Sequence, residues 1–309
     1  MTALPGPPPS LPRRVLVVLN PMGGTSEPAA LSTLIEHRFA AAGMAYQLYE
    51  TTGDDDFPAL VSEALAAGCE LVVVAGGDWT VSLVAGPLVG TGVPLAILPV
   101  GAANLLAREL GIPADPEAAL ALVTGPHQLR TLDAMDLGGR HALLQVGVGL
   151  DALMIRDTDR EAKRRFGRQA YLLTLLGKLG SHRAQRFSLM VDGQQLRPLA
   201  WQVLVANAGT LGMRPLRWGP NIRPDDGTLD LCLFAGRTLA NLARLIRFIV
   251  VQRRFSGTLV RYLPVRESVT IATEPPLPVQ ADGEIIGVTP VQVRLRAQAL
   301  PVIVPPPGG

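Results

Sequence analysis

The 309-residue chain is long enough for two domains, and 48% hydrophobic residues suffice for real cores, but a net charge of +2 gives no global electrostatic case for nucleic acid. Its two cysteines, Cys69 and Cys232, lie far apart with no CxxC spacing, which argues against a structural zinc and for a reducing, cytoplasmic compartment. No transmembrane span is expected: the longest charge-free run, residues 79–107, is broken by prolines and glycines.

The opening MTALPGPPPSLPRR lacks the apolar stretch of a signal peptide, and residues 1–12 read as a disordered terminus, like the closing PPPGG. From there the chain alternates. VLVVLN is a buried strand by its β-branched run, PMGGTSEP a turn, and ALSTLIEHRFAAAG a helix. AYQLYETT alternates like a strand, FPALVSEALAAG is a helix, ELVVVAGG a strand and TVSLVAGPLVG a helix. PLAILPVG is a fourth strand and ANLLARELGIP a helix stopped by Gly111 and Pro113. Four β-α repeats predict a doubly wound parallel sheet over residues 13–130, with ligands beyond the carboxyl ends of its strands.

The rhythm changes near residue 130. HALLQVGVGLD, RFSLMVDGQQL, WQVLVANAG, GTLDLCLF, SVTIAT and VQVRLRAQ predict a mostly antiparallel, β-rich domain over 131–305. Two helical insertions interrupt it, at about 160–180 and 237–254. The first segment carries Lys163, Arg164, Arg165, Arg168, Lys178, Arg183 and Arg186, and the second Arg244, Arg247, Arg253 and Arg254. Basic residues beside an apolar face suit a membrane surface, and equally suit helices packed on the protein's own β-domain.

The strand ends carry the chemistry. Gly76-Gly77-Asp78 follows one strand and precedes a helix. Glycines there permit positive φ and let backbone N–H groups approach phosphate oxygens, and the helix dipole favours an anion. The same pattern also makes an ordinary strand-to-helix turn. Asn20-Pro21 with Gly23-Gly24, the threonines Thr51 and Thr52, and PVGAAN ending at Asn104 fall at the other three strand ends. His37, His127, His141 and His182 are scattered and read as surface or packing residues.

LNPMGG, GGDWT and PVGAANLLARELGIP together resemble the NPxxG, GGDGT and PxGTxNxxARxLGIP segments of the diacylglycerol-kinase catalytic domain family, which includes bacterial lipid kinases and the sphingosine and ceramide kinases. Downstream, VGVGLDA, RPDDGTLDL and VQADGEIIGVTP resemble its G-x-G-x-D-A, DG-x-LD and DGE segments, in the same order. The resemblance implies an α/β nucleotide domain, a C-terminal β-sandwich, an active site in the cleft between them, ATP as phosphoryl donor, Mg²⁺, and a lipid hydroxyl as acceptor at a membrane surface. It implies nucleotide contacts from Thr51, from Gly76, Gly77, Asp78, Trp79, Thr80 and Ser82, and from Ala102, with Asn20 and Asn104 in the flanking turns. It also implies Glu284 as general base, and a magnesium site from the Asp226 side chain with the carbonyls of Arg223 and Thr228. Asp78 is a second catalytic candidate, reaching metal-bound water or orienting the acceptor. Asp282 and Asp151 read either as catalytic residues or as structural ones. A homodimer stays open.

Four positions depart from the family pattern. Ala102 replaces a threonine, Ser82 and Leu83 replace Asn and Glu, and Trp79 replaces the glycine of GGDGT. If position 79 needs positive φ, tryptophan there costs about 1–3 kcal/mol. Its indole would also stand near the phosphate. The alternatives are a kinase with a shifted loop, a pseudokinase that binds lipid or nucleotide without catalysis, and an active enzyme with one substituted residue. A soluble-substrate kinase is a lesser alternative, because NAD kinases share a GGDGT-like loop.

Overall fold

The computed structural model describes residues 14–21, 28–157, 184–210, 217–219, 221–235 and 260–306. The basic helical segments expected at 160–180 and 237–254 lie outside these residues. Arg186, counted with the first of them, lies in a strand. The chain divides into two compact units, Met1–Thr131 with Leu300–Gly309, and Leu132–Ala299. The end of the last strand, from Leu300, falls in the first unit.

The first unit is a parallel sheet with helices. In chain order it holds β1 (Arg14–Leu19), α1 (Pro28–Ala41), β2 (Ala45–Glu50), α2 (Phe57–Ala66), β3 (Leu71–Gly76), α3 (Asp78–Ala85), β4 (Leu95–Pro99), α4 (Leu105–Glu109) and α5 (Pro116–Thr124). The strands pair in the order β2-β1-β3-β4, all parallel. β3 and β4 are apolar runs buried at every residue, as strands covered on both faces must be. β2 is exposed or half-buried along its whole length, as the edge strand. Asp56 and Asp115 start α2 and α5 by accepting the amides of Ala59 and Ala118, each with a proline in the first turn. The α5 segment, DPEAALALVT, shows those same signals in the sequence, but the strand-and-helix pattern read above stops before it.

The second unit is an antiparallel sandwich. Its elements are β5 (Gln128–Asp136), which enters from the first unit, β6 (His141–Ala142), β7 (Gln145–Gly149), α6 (Leu150–Asp157), β8 (Gln185–Val191), β9 (Gln194–Leu196), β10 (Leu199–Ala206), β11 (Leu229–Ala235), β12 (Val260–Val265), β13 (Ser268–Thr273), β14 (Pro278–Ala281), β15 (Glu284–Val288) and β16 (Val291–Val304). One layer runs β15-β14-β7-β10-β11-β12, the other β8-β13-β16. Alternate residues of the two layers make one core: Val146, Val148, Val203, Val205, Leu231 and Val279 pack with Phe187, Leu189, Val269, Ile271 and Val293. The final residues of β16 pair in parallel with β4 in the first unit's sheet, Val302 beside Leu95.

HALLQVGVGLD is not one strand. β7 ends at Gly149, whose φ of 123° turns the chain directly into α6. A side chain there would also strike the Trp201 carbonyl, 2.5 Å from an added Cβ.

Two fully buried polar residues tie the second unit's loops. Asn207 donates through Nδ2 to the carbonyls of Asp133 and Leu143, each at 2.8 Å. The Asp133 carboxylate accepts the amides of Gly227 at 2.8 Å and Gln298 at 2.7 Å. Removing a buried donor strands its partners, so Asn207→Ala is expected to lower stability by about 2–3 kcal/mol, read from the urea midpoint at unchanged slope.

Candidate active site

The carboxyl ends of β1 to β4 bring the sequence-expected residues of the first unit together. Asn20, just past β1, donates through Nδ2 to Thr80 Oγ1 at 2.8 Å and through its backbone N–H to the Ala75 carbonyl. Thr51, just past β2, donates its N–H to the Leu19 carbonyl. Asp78 Oδ1 accepts the amide of Leu106 at 3.1 Å, capping α4, so this carboxylate ties the GGD turn to the PVGAAN turn. Asn104, in the left-handed region at φ 49°, donates to the carbonyls of Pro99 and Gly101 and holds that turn's shape.

The glycines serve close approach rather than positive φ. Neither Gly76 nor Gly77 has positive φ, and the backbone ahead of α3 is extended, at φ −88° and ψ 177°. An added Cβ on Gly101 would stand 2.4 Å from the Gly77 Cα, so the two turns touch backbone to backbone. An added Cβ on Gly76 would stand 2.8 Å from the Thr80 Cβ. Trp79 lies half-buried in the first turn of α3, and it is not among the positive-φ residues, so the strain considered above does not arise.

Thr80 and Ser82, expected as nucleotide contacts, are buried and point inward; Thr80 is occupied by Asn20. Ala102 is exposed, and Gly77, Asp78 and Trp79 are half-exposed, so these form the turn's accessible surface.

Beside Thr51, Asp55 ends Thr-Thr-Gly-Asp-Asp, a turn pattern that the family motifs do not include. Partial desolvation pushes its carboxyl up, but the amides of Thr52 and Gly53 and the hydroxyls of Tyr49 and Thr52 outweigh this and hold it at about 2.

In the second unit, Glu284 opens β15 and is half-buried. It pairs with Ala281 across the Asp282-Gly283 turn, whose φ values of 47° and 94° make it a tight hairpin. Asp282 is structural. Its buried carboxylate accepts three successive amides, from Leu143 at 2.7 Å and from Leu144 and Gln145 at 2.9 Å. Asp151, at the start of α6, accepts Gln280 Nε2 at 2.8 Å and the Ala152 amide at 2.6 Å. Desolvation outweighs these bonds and pushes its carboxyl up to about 6.

The remaining expected residues, Arg223, Asp226 and Thr228, lie in an acidic segment. Asp226 is exposed and accepts the Thr228 amide at 3.1 Å, while the Arg223 guanidinium pairs with Asp225. Desolvation, then the charge of Asp226, pushes Asp230 up to about 6. Among the described residues no group of three or more His, Cys, Asp or Glu side chains converges to hold a metal.

Residues 14–137 match the diacylglycerol kinase catalytic domain, and residues 144–304 match the YegS C-terminal NAD kinase beta sandwich-like domain. The chain is 30% identical over 314 residues to a Stenotrophomonas maltophilia protein named "Probable lipid kinase YegS-like", covering 94% of each. This chain belongs to the diacylglycerol kinase catalytic domain family. It is also 27% identical to a protein of Mycobacterium tuberculosis named "Diacylglycerol kinase", over 94% of this chain and 95% of that one. An uncharacterized Synechocystis protein matches at 30% over 77% of this chain, which spans about half (55%) of that relative's length. A solved Bacillus anthracis structure titled as a diacylglycerol kinase shares the fold, with TM-score 0.73 at 24% identity over 96% of this chain and 98% of that chain. The family's two-domain expectation therefore holds, with a parallel sheet followed by an antiparallel sandwich. Among the described residues no helix is long and apolar enough to cross a membrane.

The backbone contact between the two turns predicts that Gly101→Ala pushes them apart. Stability should fall by about 1–3 kcal/mol, and nucleotide affinity, read by calorimetry, should fall with it. For Asp55 the folded pKa lies below the unfolded value of about 3.9, so its contribution is full above about pH 4 and lost as pH falls toward 2. Asp55→Asn should lower stability at pH 5 and flatten the fall between pH 4 and pH 2, as followed by urea titration.

Proposed function

We propose that the protein transfers the γ-phosphoryl group of ATP to the hydroxyl of diacylglycerol or a related lipid, working at a membrane surface. The observation that carries this reading is the joint presence, in one chain of this family, of the GGD turn locked against PVGAAN and of a rigidly held DGE turn that presents Glu284.

Phosphoryl transfer needs positioning and charge neutralisation more than covalent help. The exposed surface of the GGD and PVGAAN turns offers backbone N–H groups at the start of α3 for the phosphates. Glu284 accepts the proton of the lipid hydroxyl as that oxygen attacks phosphorus, and the leaving group is ADP. Trp79 leaves the loop's backbone unstrained, which supports a working loop over a silenced one. Mg²⁺, when bound with ATP, neutralises phosphate charge. The Asp226 carboxylate with the carbonyls of Arg223 and Thr228 is an all-oxygen set that fits a hard cation, in a segment whose carboxylates crowd one another.

The test is incorporation of label from γ-labelled ATP with Mg²⁺ into diacylglycerol in anionic vesicles. The native protein should label the lipid, and Trp79→Gly should do so at a comparable rate. Glu284→Gln should lose about 10²–10⁴-fold in kcat. If only Trp79→Gly labels lipid, the native chain is a pseudokinase. If Glu284→Gln keeps full activity, the assignment of the base is wrong. Failure to co-sediment with anionic vesicles would count against a membrane-surface substrate.

A further inference from the structure

The G-x-G-x-D-A segment and the DGE segment meet at one buried hydrogen-bonded pair. Gln280, fully buried on β14, donates through Nε2 to Asp151 Oδ2 at 2.8 Å. Its Oε1 accepts the Gly283 amide at 3.0 Å, one residue before Glu284. These partners set the direction of the amide: turned over, it would face a carboxylate with its oxygen and an N–H with its own N–H groups. Asp151 is held in turn, since its own amide donates to Gln202 Oε1 at 2.9 Å.

The strand beneath is cut to fit this pair. A Cβ on Gly147 would stand 1.9 Å from Asp151 Oδ2 and 2.7 Å from Gln280 Nε2. Gly147 is therefore glycine because the Asp151–Gln280 bond occupies the place of its side chain. Asp282 clamps the other side of the same turn through three amides. Both residues preceding Glu284 are thus fixed, one by its side chain and one by its amide.

We propose that Asp151 and Gln280 are positioning residues for Glu284: Asp151 orients the Gln280 amide, and Gln280 fixes the Gly283 amide from which Glu284 is presented. This rests on the reading of Glu284 as the base, and the test separates the two. Neither residue is assigned contact with the reacting atoms.

The test uses the full chain with Gln280→Leu, Asp151→Asn, Gln280→Glu and the exchange Asp151→Asn/Gln280→Glu, each with and without Glu284→Gln. In the exchange, the side-chain amide introduced at position 151 can donate to the carboxylate introduced at position 280, which still accepts the Gly283 amide. The first readout needs no catalysis: the amide shift and hydrogen exchange of Gly283 by NMR. Gln280→Leu and Gln280→Glu should expose that amide, Asp151→Asn should shift it without direct contact, and the exchange should bring it back. The second readout is lipid phosphorylation. Gln280→Leu should lose about 10- to 100-fold in kcat at unchanged KM for ATP, the range that misplacing a catalytic group produces. The exchange should recover most of that loss, and Gln280→Leu should cost nothing further in Glu284→Gln.

A Gly283 amide indifferent to Asp151→Asn would overturn the proposal whatever the activity. So would an exchange that restores nothing, or a Gln280→Leu loss that adds in full to that of Glu284→Gln. If the Gly283 amide responds as expected while the native protein phosphorylates no lipid, the positioning pair stands and the kinase reading falls.

Discussion

A carboxylate that accepts three backbone amides in a row is a rigid joint, and the DGE hairpin hangs from one. Asp282 replaces the water that Leu143, Leu144 and Gln145 would otherwise bind, and does so in a buried position where an unpaired N–H is costly. Because charge-assisted bonds are short and directional, they fix the hairpin against the start of β7. The placement of Glu284 follows from that joint, as does the meeting of β14 with β7 in register. The Asp of DGE thus does scaffold work.

The first unit solves a comparable problem without a buried charge cluster. Its two turns approach so closely that Gly101 has no room for a side chain against the Gly77 Cα. Asp78 then spans from one turn to the amide of Leu106, and Asn20 spans from β1 to Thr80. These bonds convert three separate strand ends into one surface. A substitution is tolerated there if it leaves the backbone contact alone. Trp79 does so, because it falls in the first turn of α3, where a bulky residue meets no φ penalty.

The two glycine-rich patterns of the chain therefore have different physical causes. At Gly101 of PVG the missing side chain lets backbone meet backbone, and at Gly76 of GGD it leaves room for the Thr80 side chain. In GVG, Gly147 makes room for the Asp151–Gln280 bond, and Gly149 supplies the positive φ that sends a strand directly into a helix. Sequence pattern alone leaves such a run open, since the motif names residues and says nothing of what stands opposite them.

Much of the fold was legible because it rests on periodicity and local punctuation. The apolar runs of β3 and β4, the alternation of AYQLYE and the stops at Gly111 and Pro113 are properties of consecutive residues, and they predicted the parallel sheet and the change of rhythm near residue 130. The order of GGD, LARELGIP and DGE likewise marked the family before any contact was known. Tertiary structure decided what depends on residues distant in sequence: that Thr80 and Ser82 face inward, that Asp282 clamps amides some 140 positions away, that Gln280 joins Asp151 to Gly283, and that β16 returns to pair with β4. A hydrogen bond between such residues leaves no period and no local composition, so only the folded chain displays it.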